Sequence, residues 1–384
     1  MDRWDADVVV VGLGAWGASA LWQLAERGVD VVGLERFRLG HGFGSSTPGG
    51  TRMFRLTSLE HPDLAPLARR SLTLWRMLEK HAAIPLLDQC GGLLIGPKDG
   101  VVVRGTSEAA ARHAIDIGSF TGDEAIARWP QHHGLAADDV ALWEPSAGLI
   151  RATAAVTAAV RVAGSRGARV YAGTRVESVE PVAGGVAVHT SVRTLRAKQA
   201  VLTTGAWLSD FLPEAPLSAL RFPVTWFRPA TGGDAFALDR LPVFMRQLDA
   251  HTILWGNGYD RGGEREVKLG VEAVGTTDAA VPFDLAAEHR EVRSDDWSAV
   301  SAVLPATLPG LEPVPARSAA SLVSATPDGQ FLIGRPRRDP RLVVAGGCNA
   351  HGFKHATAIG EAIADLVTGR TPRVPLGFAS PDRF

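Results

Sequence analysis

Residues 7–17 read DVVVVGLGAWG, and this segment indicates the architecture of the whole chain. Its consecutive valines are β-branched and predict a strand that is buried on both faces. Gly12, Gly14 and Gly17 follow with G-x-G-x-x-G spacing, where the strand would give way to a helix. In nucleotide-binding folds this spacing lets the backbone approach a pyrophosphate at the helix N-terminus. The segment therefore predicts a nucleotide site.

The second predicted strand, Asp30 to Leu34, supports that interpretation because it ends at an acid. Glu35 lies about twenty residues beyond the glycines, where a carboxylate accepts hydrogen bonds from a ribose diol. The alternative is a glycine-rich loop that serves only packing, and this alternative leaves Glu35 without a role.

Composition describes a soluble globular protein that is long enough for two domains. The chain has 384 residues, 46% of them hydrophobic, and its formal net charge is −1, which gives no reason to expect a nucleic-acid partner. Its two cysteines, Cys90 and Cys348, exclude a disulfide framework and favour a reducing compartment. Because neither a signal-peptide pattern nor a membrane-spanning apolar run is evident, we expect a cytoplasmic protein.

A glycine- and serine-rich segment, residues 40–50, follows the second strand and leads into Thr51-Arg52-Met53-Phe54-Arg55. Loops that follow parallel strands carry ligand sites in nucleotide-binding sheets. Two solvated arginines are the default interpretation of such a pair. Because both cations come directly after the glycine-rich loop, we favour a functional role for Arg52 and Arg55.

The middle of the chain predicts helices at 67–80 and 152–166 and an apolar strand that stops at Thr203-Thr204-Gly205. The end of that strand gives the backbone another approach to a nucleotide, as in two-domain flavoproteins. His132 and His133 lack the spacing of metal ligands, and we expect them on the surface.

Lys268 belongs to a predicted strand at 266–273, in which alternation places Lys268, Gly270 and Glu272 on one face. From alternation alone we favour a polar face in contact with solvent. Near the C-terminus, residues 346–354 read GGCNAHGFK and open into a predicted helix at 356–368. A glycine-rich junction of this kind directs N–H groups and about half a positive charge forward, so it predicts an anion site that Lys354 strengthens.

Four motifs in this order resemble the monomeric sarcosine oxidase and N-methyltryptophan oxidase family, a branch of the FAD-dependent amine oxidases of the D-amino acid oxidase superfamily. They are GLGAWG with Glu35, G-S-S…T-R-x-x-R at 44–55, K-L-G at Lys268, and T-P-D…H-G-F-K from Thr326 to Lys354. The resemblance extends from Asp7 to about Leu366.

This resemblance implies an α/β (α+β) fold with a discontinuous, Rossmann-like FAD-binding domain made of residues 1–85, 145–215 and 320–384. A sheet-based substrate domain would comprise residues 86–144 and 216–319. FAD would be the cofactor, and the partners would be a small amino acid or amine and O2, with no membrane or nucleic acid involved. We expect a monomer or a small homo-oligomer.

The resemblance also implies roles for single residues. Lys268 would promote the reaction with oxygen near flavin N5, Arg52 would lie against the flavin ring, and Arg55 with Lys354 would clamp a substrate carboxylate. Glu272 and His351 are candidates for tuning the substrate amine, and a structural role is the first interpretation of each. The residues expected to contact FAD are Gly12, Gly14, Ala15, Trp16, Gly17, Glu35, Arg36, Gly44, Ser45, Ser46, Thr51, Arg52, Val176, Thr204, Gly205, Trp207, Cys348, Gly352, Phe353 and Lys354.

The sequence departs from the family pattern at three places. Ser321 stands where the family attaches flavin through a cysteine, so we predict noncovalent FAD, with a linkage through Cys348 as the testable alternative. Glu272 stands in place of a histidine that faces the substrate, and Trp255 and Val323 replace residues that frame small substrates. We therefore expect a cyclic or aromatic amino acid larger than sarcosine, with Glu272 as a partner for a second amine.

The sequence thus predicts an FAD-dependent oxidase that converts a secondary, N-alkyl or cyclic amine of an amino acid to an imine and reduces O2 to hydrogen peroxide. Two alternatives stay open: an amine dehydrogenase with another electron acceptor, and a flavin-binding subunit without chemistry. Lys268 argues against the dehydrogenase, and the pair formed by Arg55 and Lys354 argues against the inactive subunit.

Overall fold

The computed structural model describes residues 4–40, 49–273, 281–285 and 292–384. The expected flavin contacts Gly44, Ser45 and Ser46 lie outside these ranges. Within them, no helix combines the length and the apolar character needed to cross a bilayer, and no His, Cys, Asp or Glu side chains are grouped as three or more metal ligands.

The helices and strands of the described residues follow, with short 3-10 turns at Gly205–Asp210, Phe353–His355 and Gly377–Ala379. The helices are α1 (Ala15–Glu26), α2 (Leu64–Ala82), α3 (Val101–His113), α4 (Gly122–Arg128), α5 (Ala152–Ser165), α6 (Asp295–Thr307) and α7 (Ala356–Val367). The strands are β1 (Ala6–Val11), β2 (Val31–Leu34), β3 (Thr51–Phe54), β4 (Leu87–Asp88), β5 (Gly92–Pro97), β6 (Gly118–Thr121), β7 (Asp139–Glu144), β8 (Gly148–Arg151), β9 (Arg169–Tyr171), β10 (Val176–Val182), β11 (Gly185–Thr190), β12 (Thr194–Leu202), β13 (Ser218–Phe227), β14 (Val243–Gln247), β15 (Thr252–Asn257), β16 (Val267–Ala273), β17 (Val281–Pro282), β18 (Arg317–Ala325), β19 (Leu332–Gly334) and β20 (Leu342–Gly346).

The first sheet carries the glycine-rich turn. Its strand order is β10-β11-β12-β1-β2-β9, with β20 beside β12 and β19 beside β20. Because β1 runs parallel between β12 and β2, its valines alternate between two cores. Val8 and Val10 pack with the helices α1, α5 and α7, whereas Val9 and Val11 pack with side chains of β11 and β12. The predicted strand buried on both faces is confirmed.

The second sheet has nine strands among the described residues. Its order is β17-β13-β16-β15-β14-β5-β7-β6, and β18 pairs with β13 along its whole length. A small third sheet has the order β3-β8-β4 and carries Arg52 on β3, opposite Ile150 of β8. These parallel and antiparallel sheets with their helices confirm the mixed α/β (α+β) class. The proposed domain boundary at residue 320 falls inside β18, and the division into two domains stays a prediction.

Two positions of the first turn require glycine. Gly12 has a φ of +88°, and a Cβ there would lie 2.6 Å from the carbonyl oxygen of Thr203. A Cβ at Gly17 would overlap the carbonyl oxygen of Gly12, which lies 2.8 Å from the Thr203 hydroxyl. The absence of a side chain at Gly17 therefore lets the backbone of α1 pack closely against the turn at Gly12.

Replacing Gly17 tests this close approach. We expect Gly17→Ala to destabilise the protein by about 1–3 kcal/mol or more and to reduce its retention of flavin, because the new methyl group meets backbone that cannot yield. The matched control is Gly164→Ala in α5, where an added Cβ meets no atom within 4 Å, so that stability should stay equal or rise. Thermal unfolding and the flavin content of both variants are the measurements. Equal melting temperatures would contradict the prediction.

Candidate functional site

A cavity of about 970 Å³ joins the two glycine-rich junctions of the chain. This volume is at the upper end of the range for ligand pockets in proteins. The walls come from the turn after β1, the ends of β2 and β12, the strands β3, β13, β15, β16 and β18, and residues 345–354. The parts that the motif order predicted to converge therefore share one cavity.

Glu35 is fixed at the end of the cavity next to the glycine turn. The backbone N–H of Leu13 donates to its Oε2 at 2.8 Å, and the N–H of Phe37 donates to its Oε1 at 2.9 Å. A carboxylate oxygen can accept more than one hydrogen bond. This geometry is compatible with the ribose contact that stays predicted for Glu35.

Arg36 packs against two aromatic rings beside Glu35. Its guanidinium lies 5.2 Å from the ring centre of Phe37 and 5.4 Å from that of Trp207. Val176 and Gly205 also line this end. Flat, polarisable side chains of this kind suit a planar heterocycle.

Buried polar atoms without partners face the same cavity. Thr204 Oγ1, Ser321 Oγ and Trp255 Nε1 have no hydrogen-bond partner in the part of the chain that the structure describes. Buried polar groups in proteins are normally paired, so these atoms indicate a bound molecule. A large polar cofactor in the cavity would provide hydrogen-bond partners for these atoms.

Two tryptophans tie the second junction to the rest of the site. The indole N–H of Trp16 donates to the carbonyl of Gly352 at 3.0 Å. The indole N–H of Trp75 donates to the carbonyl of Lys354 at 3.1 Å. Gly14, Ala15 and Trp16 therefore line the cavity opposite the backbone of 352–354, and the two junctions are held face to face.

The loop before that junction contains strained backbone. Asn349 and Ala350 have φ values of 45° and 61°, in the left-handed region that non-glycine residues rarely adopt. Asn349 is fixed by its side chain, since its Oδ1 accepts from the Thr326 N–H at 2.9 Å and its Nδ2 donates to the Gly347 carbonyl at 2.6 Å. Strain of this kind persists where surrounding contacts impose it, and it is concentrated at functional sites.

The buried Lys268 and the half-buried Arg52 form a pair of cations. Both donate to the carbonyl of Thr51, from Lys268 Nζ at 2.6 Å and from Arg52 Nη1 at 2.8 Å. Burial lowers the pKa of Lys268 well below its usual range, and Arg52 and Arg317 lower it further. Burial also lowers the pKa of Arg52 to about 10, and its guanidinium lies 5.9 Å from the ring centre of Phe353. The expectation of a solvent-exposed face for Lys268 is wrong, because Lys268 is only 4% exposed and its ammonium is bonded to the Thr51 carbonyl of β3.

Arg55 and Lys354 also meet, and a carboxylate of the chain lies between them. Glu60 Oε1 is 2.5 Å from Arg55 Nη2 and 3.5 Å from Lys354 Nζ. Burial alone would raise the pKa of Glu60, but Arg55 and Lys354 outweigh it and hold this pKa well below its usual range. Burial lowers the pKa of Lys354 to about 8 against the opposing effect of Glu60. Two cations that hold a carboxylate in a cavity are suited to bind the carboxylate of a ligand.

Sequence reasoning missed Glu60. It lies in the segment between β3 and α2, which has no periodicity. Glu144 fixes the start of that segment, because the backbone N–H groups of Leu56 and Thr57 donate to its carboxylate at 2.6 and 3.1 Å. The sequence signal that was available is an acid shortly after the arginine pair.

The apolar wall of the cavity contains Trp255 and Val323. Trp255 stacks with Phe222 at a centroid distance of 5.9 Å and an interplanar angle of 13°. Glu272 is half-buried in the same wall, and burial followed by the charge of Glu60 raises its pKa to about 7. No hydrogen bond or ion pair joins Glu272 to another described residue.

His351 lies in the cavity as a neutral group. Burial lowers its pKa to about 4, and its ring stacks on Phe331 at 4.8 Å. The expectation for His132 is wrong, because this side chain is only 1% exposed and lies edge-on to Phe244 of β14. Of the expected site residues that the structure describes, Gly17 and Thr51 are not among the residues that line the cavity, while the others line it, Ser321 and Cys348 included.

A protein-family model described as FAD dependent oxidoreductase (DAO) matches residues 7–366. The monomeric sarcosine oxidase of Streptomyces avermitilis is 30% identical over 383 residues, which are 98% of this chain and 97% of the relative. The N-methyl-L-tryptophan oxidase of Yersinia pestis is 25% identical, over 99% of this chain and 100% of the relative. These matches confirm the resemblance drawn from the four motifs.

Among solved structures, NikD, described as an unusual amino acid oxidase essential for nikkomycin biosynthesis, superimposes on this chain with a TM-score of 0.85. The sequences are 26% identical, and the match covers 99% of this chain and 98% of NikD. The whole fold, both sheets included, is therefore shared with an amino acid oxidase.

Proposed function

The chain belongs to the DAO family of FAD-dependent oxidoreductases, and on this premise we propose that it oxidises an amino acid to an imine with reduction of O2 to hydrogen peroxide. The substrate is a secondary, N-alkyl or cyclic amine larger than sarcosine. One observation carries the proposal: the buried cations Arg55 and Lys354 hold a carboxylate in the same cavity that contains Lys268 and Arg52.

The residues present fit FAD. Glu35 and the glycine turn would hold the ADP half, and the junction at 352–354 would stabilise negative charge on the ring system. Thr204 Oγ1 and Ser321 Oγ, buried without partners in the described chain, support such an occupant. When bound, FAD supplies the hydride acceptor and the route by which electrons reach oxygen.

The remaining contributions come from side chains of this protein. Arg55 and Lys354 orient the substrate through its carboxylate, which fixes the carbon next to nitrogen for reaction. A substrate carboxylate competes with Glu60 for both cations, so Glu60 must share or leave them. Lys268 and Arg52, preorganised by the Thr51 carbonyl, stabilise negative charge that develops on oxygen.

Anaerobic mixing with N-alkyl amino acids tests the proposal. Loss of the oxidised flavin absorbance without oxygen, followed on aeration by one hydrogen peroxide for each amine consumed, is the expected result. Reduction by amine without peroxide under air would favour the dehydrogenase alternative. A flavin that no amino acid or amine reduces would leave the inactive subunit as the better description.

Acid precipitation of the purified protein tests the mode of flavin attachment. We expect the flavin of the wild type to leave with the supernatant, because Ser321 has a hydroxyl where a thioether would need a thiol. Ser321→Cys places a thiol in the cavity wall and should keep part of the flavin in the precipitate. Flavin that stays with precipitated wild type would contradict noncovalent binding, and Cys348→Ser would then test the linkage through Cys348.

A further inference from the structure

Lys268 and Glu272 share one face of β16 but serve different parts of the cavity. Gly270 lies between them, and the ring of Trp255 fills the space that a side chain at this glycine would occupy. Lys268 Nζ lies 5.9 Å from the centre of that ring. With a strand rise of roughly 3.3 Å per residue, the Cα atoms of Lys268 and Glu272 are about 13 Å apart. The ring of Trp255 therefore lies between Lys268 and Glu272 on this face of β16 and separates the two side chains.

Among the described residues, no side chain forms a hydrogen bond or an ion pair with Glu272. The charged groups that act on it across the cavity are Glu60, Arg55 and Lys354, and the largest of these effects is the repulsion by Glu60. The opposite position on β15 is Ile253, which is buried, so the wall beside the carboxyl is apolar. A carboxylate in an apolar wall that is not paired with another described side chain gains most from a ligand that supplies a positive charge.

We propose that Glu272 binds a second, protonated nitrogen of the substrate, so that the substrate class is an amino acid with a basic group distant from its carboxylate. This inference rests on the proposed function. The carboxylate occupies Arg55 and Lys354, the reacting amine lies toward Lys268, and the distant cation lies at Glu272. The negative carboxylate of such a ligand would face the cations Arg55 and Lys354, and its distant positive group would face the carboxylate of Glu272.

Two substrates that differ only in the distant ammonium group test this assignment. Nα-methyl-lysine and Nα-methyl-norleucine have side chains of similar length, but only the first carries a terminal cation. For the wild type we expect kcat/KM to be at least tenfold higher for the lysine derivative, mainly through KM. In Glu272→Gln this ratio should fall to one or below, since a neutral amide cannot compensate the cation.

The ratio of the two kcat/KM values should also depend on pH. Glu272 is protonated below its pKa of about 7, so the preference for the lysine derivative should grow between pH 6 and pH 8 as the carboxyl ionises. Loss of the Lys354 proton at higher pH affects both substrates through the shared carboxylate, so it cancels in the ratio. In Glu272→Gln the ratio should be independent of pH over this range.

The control is Glu312→Gln, which removes an exposed carboxylate and should leave the preference unchanged. Equal or better turnover of the norleucine derivative by the wild type would overturn the inference, as would an unchanged ratio in Glu272→Gln. Dissociation constants of both compounds provide a readout that needs no reaction with oxygen. They follow from the concentration dependence of the anaerobic reduction rate where a compound reduces the flavin, and from shifts of the oxidised flavin absorbance where it does not. If no amine reduces the flavin, the proposed function fails, while these constants still decide whether Glu272 selects a cation.

Discussion

Lys268→Met slows the reaction of the reduced enzyme with oxygen by roughly 10²–10³-fold, the usual effect of removing one preorganised electrostatic group. Lys268 is buried, and the Thr51 carbonyl fixes the position of its ammonium group. Solvent therefore cannot take over the electrostatic role of this cation once it is removed. Methionine keeps the length of the side chain and removes a costly buried cation, so the fold should be kept. Reduction by substrate should change less than tenfold, because the clamp at Arg55 is untouched.

Stopped-flow measurements separate the two half-reactions. One follows loss of the oxidised flavin absorbance on anaerobic mixing with substrate, and the other follows its return on mixing with oxygen. The control is Lys198→Met, which removes an exposed lysine paired with Asp7 at 2.6 Å and should alter neither rate. An oxygen reaction that Lys268→Met leaves at the wild-type rate would remove Lys268 from the proposed mechanism.

Arg55→Met lowers kcat/KM by roughly 10²–10³-fold, in line with the loss of one partner of a buried charge pair. Arg55 is 3% exposed and its guanidinium binds Glu60, so its removal acts on stability as well as on substrate binding. The single variant leaves Glu60 with Lys354 alone, and we expect a lower melting temperature for that reason.

A second variant separates the two effects of Arg55. Arg55→Met with Glu60→Gln restores the charge balance and should recover most of the melting temperature, while substrate binding stays weak. Glu60→Gln alone should lower KM, because it removes the carboxylate that competes with the substrate. If the double variant recovers both stability and kcat/KM, Arg55 has no part in binding the substrate carboxylate.

Local patterns predicted the parts of the fold that depend on neighbouring residues. The valine run, the glycine turn and the acid at Glu35 each report on a few adjacent positions. β1 and β2 lie within a residue or two of their predicted bounds, and α1 begins at the glycine turn, where a helix was predicted. The predicted helix at 67–80 is the centre of α2, which extends from Leu64 to Ala82. The helix and strand preferences of these segments depend on neighbouring residues in the sequence and not on tertiary packing.

The site was less predictable because it depends on contacts between distant segments. Alternation gave Lys268 the correct strand face but not its burial, since its ammonium is bonded to the Thr51 carbonyl of β3 and no local pattern reports such a contact. Glu60 reaches the cations from a segment whose backbone is held at Leu56 and Thr57 by Glu144 of β7, which lies 88 and 87 positions away in the chain. Trp255 fills the space above Gly270 from the next strand, so a glycine in β16 gave no indication of what packs on it. The roles of single residues came from the family resemblance and stay predictions.

The bond from the Trp16 indole to the Gly352 carbonyl spans 336 positions of the chain. During translation, everything between these residues must leave the ribosome before this contact can form, and α1 cannot pack on α7 any earlier. In a nascent polypeptide that lacks its final segment, α1 is therefore not covered by α7, and the glycine-rich junction at 346–354 is missing. Flavin capture would then report completion of synthesis, and ribosome-stalled chains that stop before residue 346 should stay colourless.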